Sequence, residues 1–264
     1  MESNLNTTLA QQSKDSIDRI YSEREFHNKR FAEEVRQPTH RFYRTVSAAF
    51  NHYESEKAQC VKDKVVLEYG CGTGGNALKL APECKSIHGL DLSDVAINQA
   101  KKIAMEKGLA NATFSAGNAE EMTFESNAFD FVFGSSILHH LDLDKAYAEL
   151  YRVTRPGGCA LFLEPLGHNP LINAYRVKTP EFRTPDEHPL LRADFALAKK
   201  YFDRVESRFY GLATLGAIPF IETPFAGPMM IAGSVLDKFL LRLPGLKWMS
   251  WFSLITLKKK ADDS

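Results

Sequence analysis

The chain of 264 residues is long enough for one α/β domain with added segments and for a sizeable buried core. Its 44% hydrophobic and 25% charged residues exclude a disordered or fibrous chain, and 33 basic residues balanced by 33 acidic ones give no net field for holding DNA or RNA, so nucleic acid is not an expected partner. The four cysteines, Cys60, Cys71, Cys84 and Cys159, form no CxxC pair and no apolar signal segment opens the sequence, which together predict a reduced, soluble, cytoplasmic protein.

Residues 1–60 read as an N-terminal helical cap. Ile17, Ile20 and Tyr21, then Phe42, Tyr43, Val46 and Phe50, recur at helical spacing among charged residues. Within it the run Phe26-His27-Asn28-Lys29-Arg30-Phe31 reads either as part of a lid that closes over a ligand or as an ordinary amphipathic helix packed on a sheet. From Lys64 the pattern changes to short apolar runs, at 65–67, 87–90, 112–114, 129–133 and 159–163, separated by helix-like stretches. That alternation predicts right-handed βαβ units, hence a parallel sheet with helices on both faces, over residues 61–264. Residues 94–107 and 143–153 read as two of the helices, with Ser93 and Asp142 as N-caps and Gly108 as a stop.

A Pro-rich polar loop is expected from Pro165 to about residue 190, carrying Pro170, Pro180 and Pro185, and loops of that length are usually functional. A helix around 194–201, a strand over 205–210 and a last strand over 251–257 follow, with a mostly apolar insertion, 212–246, between those strands. From Leu212 to Leu236 the only charge is Glu222. Pro219, Pro224 and Pro228 break the run and exclude a membrane-spanning helix. Three readings of the segment are open: core, the wall of a pocket for an apolar substrate, or a peripheral membrane contact flanked by Lys238, Arg242 and Lys247.

The sharpest motif is Glu68-Tyr69-Gly70-Cys71-Gly72-Thr73-Gly74-Gly75, directly after the first strand and opening a helix. Glycines there let a ligand approach the backbone and permit unusual dihedrals. Gly70, Gly72 and Gly75 also fit the dinucleotide fingerprint GxGxxG, and Asp91 at the end of the second strand suits the ribose of either kind of cofactor, so these positions alone leave a nicotinamide enzyme open. Further elements in order decide: the Gly117-Asn118-Ala119-Glu120 turn, the strand Phe129-Asp130-Phe131-Val132-Phe133 running into Gly134-Ser135-Ser136-Ile137-Leu138-His139-His140-Leu141, and Arg155-Pro156-Gly157-Gly158. Over residues 62–165 the sequence resembles the class I S-adenosylmethionine-dependent methyltransferases, in particular the small-molecule branch related to ubiquinone-type methyltransferases.

The resemblance implies a doubly wound, seven-stranded, mostly parallel sheet of Rossmann-like methyltransferase fold, its last strand antiparallel, with an N-terminal helical lid and a C-terminal helical insertion. It implies S-adenosyl-L-methionine as cofactor, held by Glu68, Gly70, Cys71, Gly72, Gly74, Asp91, Leu92, Asn118, Ala119 and Ser135. In that reading Glu68 anchors the methionyl amine, Asp91 accepts the ribose hydroxyls, Asn118 and the Ala119 amide read the adenine edge, and a carbonyl near Ser135 meets the amine. The segment Gly134-Ser135-Ser136-Ile137 departs from the Asp-Pro-Pro-Tyr type of tetrapeptide, which argues against adenine or glutamine amides as acceptors.

Methyl transfer from a sulfonium gains mainly from collinear positioning, and hydroxyl or carbon nucleophiles gain further from a base. Candidate groups gather where strands four and five end: His139 and His140, then Glu164 and His168, then Arg183, Asp186, Glu187 and His188. His140, His168, Glu164 and His188 are the expected catalytic set, with Glu164 and a histidine as an acid/base pair. Glu164, His168, Glu187 and His188 are chemically able to ligate a divalent metal, but their spacing fits no compact motif and no metal is expected. The expected activity is methyl transfer to a small, lipophilic or aromatic acceptor, on oxygen or carbon in preference to nitrogen. A non-catalytic cofactor-binding or partner protein on the same fold is the alternative, and the oligomeric state stays open.

Overall fold

The computed structural model describes residues 2–33, 40–180, 183–184 and 187–262. Three helices, α1 (Glu2–Ala32), α2 (His40–Tyr43) and α3 (Ser47–Cys60), precede the first strand. The alternating part then runs β1 (Val65–Tyr69), α4 (Gly75–Leu80), β2 (Ser86–Asp91), α5 (Asp94–Glu106), β3 (Ala112–Ala116), β4 (Phe129–Ser135), α6 (Leu143–Val153) and β5 (Thr154–Pro165). It continues through α7 (Pro170–Val177), α8 (Arg192–Ala198), β6 (Arg204–Tyr210), α9 (Ala226–Leu240) and β7 (Phe252–Lys258).

All seven strands form one sheet in the order β3-β2-β1-β4-β5-β7-β6. The first five are parallel, and β7 runs antiparallel between β5 and β6. The doubly wound class expected from the sequence is therefore the observed one. Burial follows the period of two that a strand imposes. Val66 of β1, with Phe131 and Phe133 of β4, packs under α3, α4 and α5, whereas Leu67 and Val132 face α6 and α8. Strand order reverses between β1 and β4, so the loops after those strands diverge and leave a crevice at the carboxyl edge.

Local chemistry sets the element ends. Ser93 Oγ accepts from the Ala96 amide at 3.2 Å and Asp142 Oδ1 from the Asp144 amide at 3.2 Å, each satisfying an orphan donor of a first helical turn. Asn169 caps α7 through the Leu171 amide at 3.0 Å, with Pro170 at the first helical position. The long loop expected after β5 thus contains a two-turn helix, built by a cap and proline that read equally as loop residues in sequence. Strand β5 also starts five residues before the expected position, its first stretch joined to β4 across a register shift between Phe129 and Phe131.

The helical stripe expected at Ile17 and Tyr21 does not face inward; both are 63% exposed. Instead α1 turns Ile20, Glu23 and His27 toward the sheet edge. Residues 212–246 combine a 3₁₀ stretch, Ala213–Phe220, with α9. The buried Asp237 carboxylate ties them together, accepting from the Ala213 amide at 2.6 Å and the Thr214 hydroxyl at 3.1 Å. Gly233 lets α9 approach that backbone, because a Cβ there would lie 2.8 Å from Thr214 Cα. The outer face of α9 has no cover in the described residues: Phe225, Ile231 and Phe239 are 62–68% exposed. No described helix is long and apolar enough to cross a membrane.

Candidate active site

A cavity of about 220 Å³ opens where β1, β2 and β4 end. Gly70, Gly72, Asp91, Leu92, Asn118, Ala119 and Ser135 line it, seven of the ten residues expected to hold a cofactor. Gly72 is left-handed at φ +51°, and its amide donates to Asp91 Oδ2 at 2.7 Å. The Ser93 amide donates to Asp91 Oδ1 at 2.9 Å, so the carboxylate is oriented before any ligand arrives. The Asn118 turn is fixed from behind by the Tyr69 hydroxyl, which donates to the Ala119 carbonyl at 2.7 Å.

The other three residues of that set lie behind the wall. Glu68 accepts from Asn76 Nδ2 at 2.8 Å and from the Ala77 amide at 2.9 Å, one bond to each oxygen from the start of α4. Burial raises its carboxyl to about 7 against those bonds. Its place is under the glycine loop, a correction to the expected contact with an amine. Cys71 is buried against Gly89, and Gly74, at φ +74°, caps α4 against Phe114 and Ala100. Each shapes the loop without lining the cavity.

Helix α1 roofs this cavity. Arg19 donates to the His140 carbonyl at 2.8 Å and pairs with Glu120, Arg24 pairs with Asp94, and Asn28 Oδ1 accepts from Ser93 Oγ at 2.6 Å. Phe31 lies over the glycine loop, 3.1 Å from where a Cβ on Gly72 would stand.

A second cavity, of about 370 Å³, adjoins the first. Its apolar wall is Phe42, Tyr43, Leu215, Ile218, Trp251 and Phe252, and its polar wall holds His139, Arg176, Arg183 and Glu187. His27, Arg30, Ser136 and His140 line both cavities and mark their junction. Ser136 is held there at φ +54°, a conformation that costs a non-glycine residue about 1–3 kcal/mol.

Glu164, fully buried at the end of β5, accepts from the Ile137 and Leu138 amides at 2.9 and 3.0 Å and meets His139 Nδ1 at 2.7 Å. The acid/base pair read from sequence is therefore Glu164 with His139. On the other side of the ring His139 Nε2 lies 3.6 Å from Glu187 Oε1, so the imidazole stands between two carboxyl groups. His140 Nδ1 lies 3.4 Å from Glu23 Oε2, and His27 Nε2 is 3.4 Å from the same oxygen. Burial holds His140 below the ordinary imidazole range in spite of Glu23. Burial alone would raise the Glu23 carboxyl, but His140, His27 and Thr184 outweigh it and leave it well below the usual range.

His168 and His188 are corrections. His168 is exposed, accepts from the Arg192 amide at 3.0 Å and caps α8. His188 is exposed beside Asp194 at 3.2 Å, and only its amide reaches inward, to the His139 carbonyl at 2.7 Å. Both sit on loops whose backbone passes the site while their rings turn outward. Asp186 and Pro185 lie outside the described residues. The four residues weighed as metal ligands are dispersed; Glu23, His27 and His140 form the compact cluster among the described residues, their ligand atoms within 4.8 Å of one another. Sequence reasoning missed Glu23 and Arg176, and placed His27 and Arg30 only within the run read as a lid or a packed helix. The available signal was the spacing of Glu23, His27 and Arg30, which puts three polar groups on one helical face.

A doubly wound sheet with a glycine turn, a ribose-type acid after β2 and a cavity at the switch point defines a Rossmann-like cofactor-binding domain. Residues 66–158 match the methyltransferase domain family. A sterol 24-C-methyltransferase of Neurospora crassa is 36% identical over 124 residues, 46% of this chain and 32% of that protein. Among solved structures, phosphoethanolamine N-methyltransferase 2 of Haemonchus contortus, in complex with phosphomonomethylethanolamine and S-adenosylhomocysteine, is similar at a TM-score of 0.58 and 21% identity, over 80% of this chain and 52% of that one. The 4+2 cyclase SpnF is similar at 0.53 and 21% identity, over 78% and 79%. The matches span 30% to 43% of the length of the curated relatives.

Proposed function

We propose that this protein transfers a methyl group from S-adenosylmethionine to a small lipophilic acceptor, on oxygen or carbon, in the cytoplasm and at a membrane surface. Residues 1–60 serve as lid and 212–246 as the acceptor-side insertion of the domain. The observation that carries this reading is the pair of adjoining cavities, one with cofactor-type polar groups and one with an apolar wall, meeting at His27, Ser136 and His140. The chain's groups fit the cofactor: Asp91 presents an oriented carboxylate to two hydroxyls, and Gly72 leaves the backbone bare. When bound, the sulfonium supplies an activated methyl group. The residues at the junction align an acceptor with it and exclude water, which is where most of the rate gain of such a displacement arises. His140, neutral through burial and in contact with both cavities, takes the proton of a hydroxyl or activated carbon, with Glu23 orienting its ring.

Calorimetry with S-adenosylhomocysteine, followed by a screen of lipophilic phenols, alcohols and acids with methyl-labelled cofactor, tests the reading. Tight binding of NAD without binding of S-adenosylhomocysteine would overturn it. The likeness to a 4+2 cyclase motivates a second reading, cofactor binding without methyl transfer, and binding with no labelled product from any acceptor would favour it.

A further inference from the structure

The acceptor cavity has a charged end that methyl transfer to an apolar molecule does not need. Arg176 of α7 and Arg183 both line it beside Glu187. Arg183 Nη1 reaches Glu187 Oε1 at 3.1 Å, while its Nε is buried with no hydrogen-bond partner among the described residues. Arg176 Nη1 donates to the Leu166 carbonyl at 3.0 Å and to Asn173 Oδ1 at 2.8 Å, neither of them a charge. Among the described residues two guanidiniums therefore share one carboxylate that lines the cavity, and Arg30 adds a third cation there. Glu164 lies behind His139, bonded to that ring and to two amides, and does not line the cavity. Burial, then the neighbouring Arg183, pulls the Arg176 guanidinium down to about 10.

Buried cations persist where a partner completes them, and planar guanidinium forks match carboxylate and phosphate oxygens. The rest of the wall, from Phe42 and Leu215 to Ile218 and Trp251, is apolar. Resting on the acceptor reading above, we infer that the acceptor is an anionic amphiphile: a carboxylate or phosphate head on Arg176 and Arg183, with Arg183 Nε as one donor, and an apolar body along the insertion.

The test is calorimetry on the full chain saturated with S-adenosylhomocysteine, using octanoate, octyl phosphate and octanol as probes. At least one anion should bind ten-fold or more tighter than octanol; the stronger of the two identifies the head as carboxylate or phosphate. Arg176→Gln and Arg183→Gln should each remove ten-fold or more of the anion affinity while leaving octanol and S-adenosylhomocysteine affinities unchanged. Arg183→Lys, which keeps the charge but loses the fork, should fall between and guards against a variant that fails to fold. Equal binding of octanol and both anions, or arginine variants that leave anion affinity intact, would overturn the inference. Failure of S-adenosylhomocysteine to bind would count against the cofactor reading instead, and the anion preference is then read on the protein alone.

Discussion

His140 stands where the two cavities join, and its environment fixes the sign of a pH effect. Burial lowers its pKa, so the neutral base is the resident form at pH 7 and is lost only as pH falls below the ordinary imidazole value of about 6.5. Once an acceptor is in hand, kcat/KM should drop on the acid side with a midpoint below that value; a midpoint above it removes His140 as the base. His140→Ala should cost about 10²–10⁴-fold in kcat with little change in cofactor affinity, whereas His168→Ala, whose ring caps α8 from the surface, should leave steady-state rates near wild type. On the cofactor side, Asp91→Ala removes an oriented acceptor and leaves the Gly72 amide unpaired, a loss of about 1–3 kcal/mol, or roughly five- to 150-fold in affinity for S-adenosylhomocysteine by calorimetry.

Elements were more legible than the residues they carry. The seven strands follow from apolar runs of the right length, and the caps at Ser93 and Asp142 from residue types whose oxygens can reach a free amide. Seven of the residues expected at a cofactor line the first cavity, because the turns after the strands face the crevice. Side-chain direction was not readable. Glu68 and Gly72 are four residues apart in one motif, yet one supports α4 and the other lines the cavity, and His168 and His140 differ only in which way a loop turns. Helix α1 was hardest, since its inward face carries Glu23 and His27 in place of the apolar stripe a packed helix shows. The placement of Glu68 has a measurable consequence for α4. Its folded pKa of about 7 stands above the ordinary carboxyl value of 4.5, so in that window the folded chain binds the extra proton. Its contribution is fully present below pH 4.5 and is lost as pH rises through 7. Denaturant midpoints of wild type should therefore fall between pH 4.5 and 7 relative to Glu68→Gln, which cannot ionise, and level off above that range; parallel curves would place the titration elsewhere.

At the scale of the whole molecule, the insertion divides among the three readings of residues 212–246. Leu215 and Ala217 are buried, Leu215 and Ile218 wall the acceptor cavity, and the outer face of α9 stays bare. That face presents Phe225, Ile231, Val235 and Phe239, with Lys238 and Arg242 exposed on the same segment. Apolar side chains beside cations suit the interface of an anionic bilayer, where burial contributes about 25 cal/mol per Å² and each cation near the surface about 1 kcal/mol. A helix of 15 residues is too short to span and is suited to lying in the surface plane. The geometry also couples contact to chemistry, because the 3₁₀ stretch held to α9 by Asp237 is the one that walls the acceptor cavity. An acceptor dissolved in the bilayer would meet the protein at the element bordering its own pocket. Wild-type protein should float with vesicles containing phosphatidylglycerol, less with pure phosphatidylcholine, and less again at high salt as the cations are screened. The double variant I231E/F239E, on a face remote from the cofactor cavity, should lose ten-fold or more of vesicle affinity and keep its affinity for S-adenosylhomocysteine. Protein that sediments with neither vesicle type, or a variant that floats as well as wild type, would leave the bare face of α9 to another use.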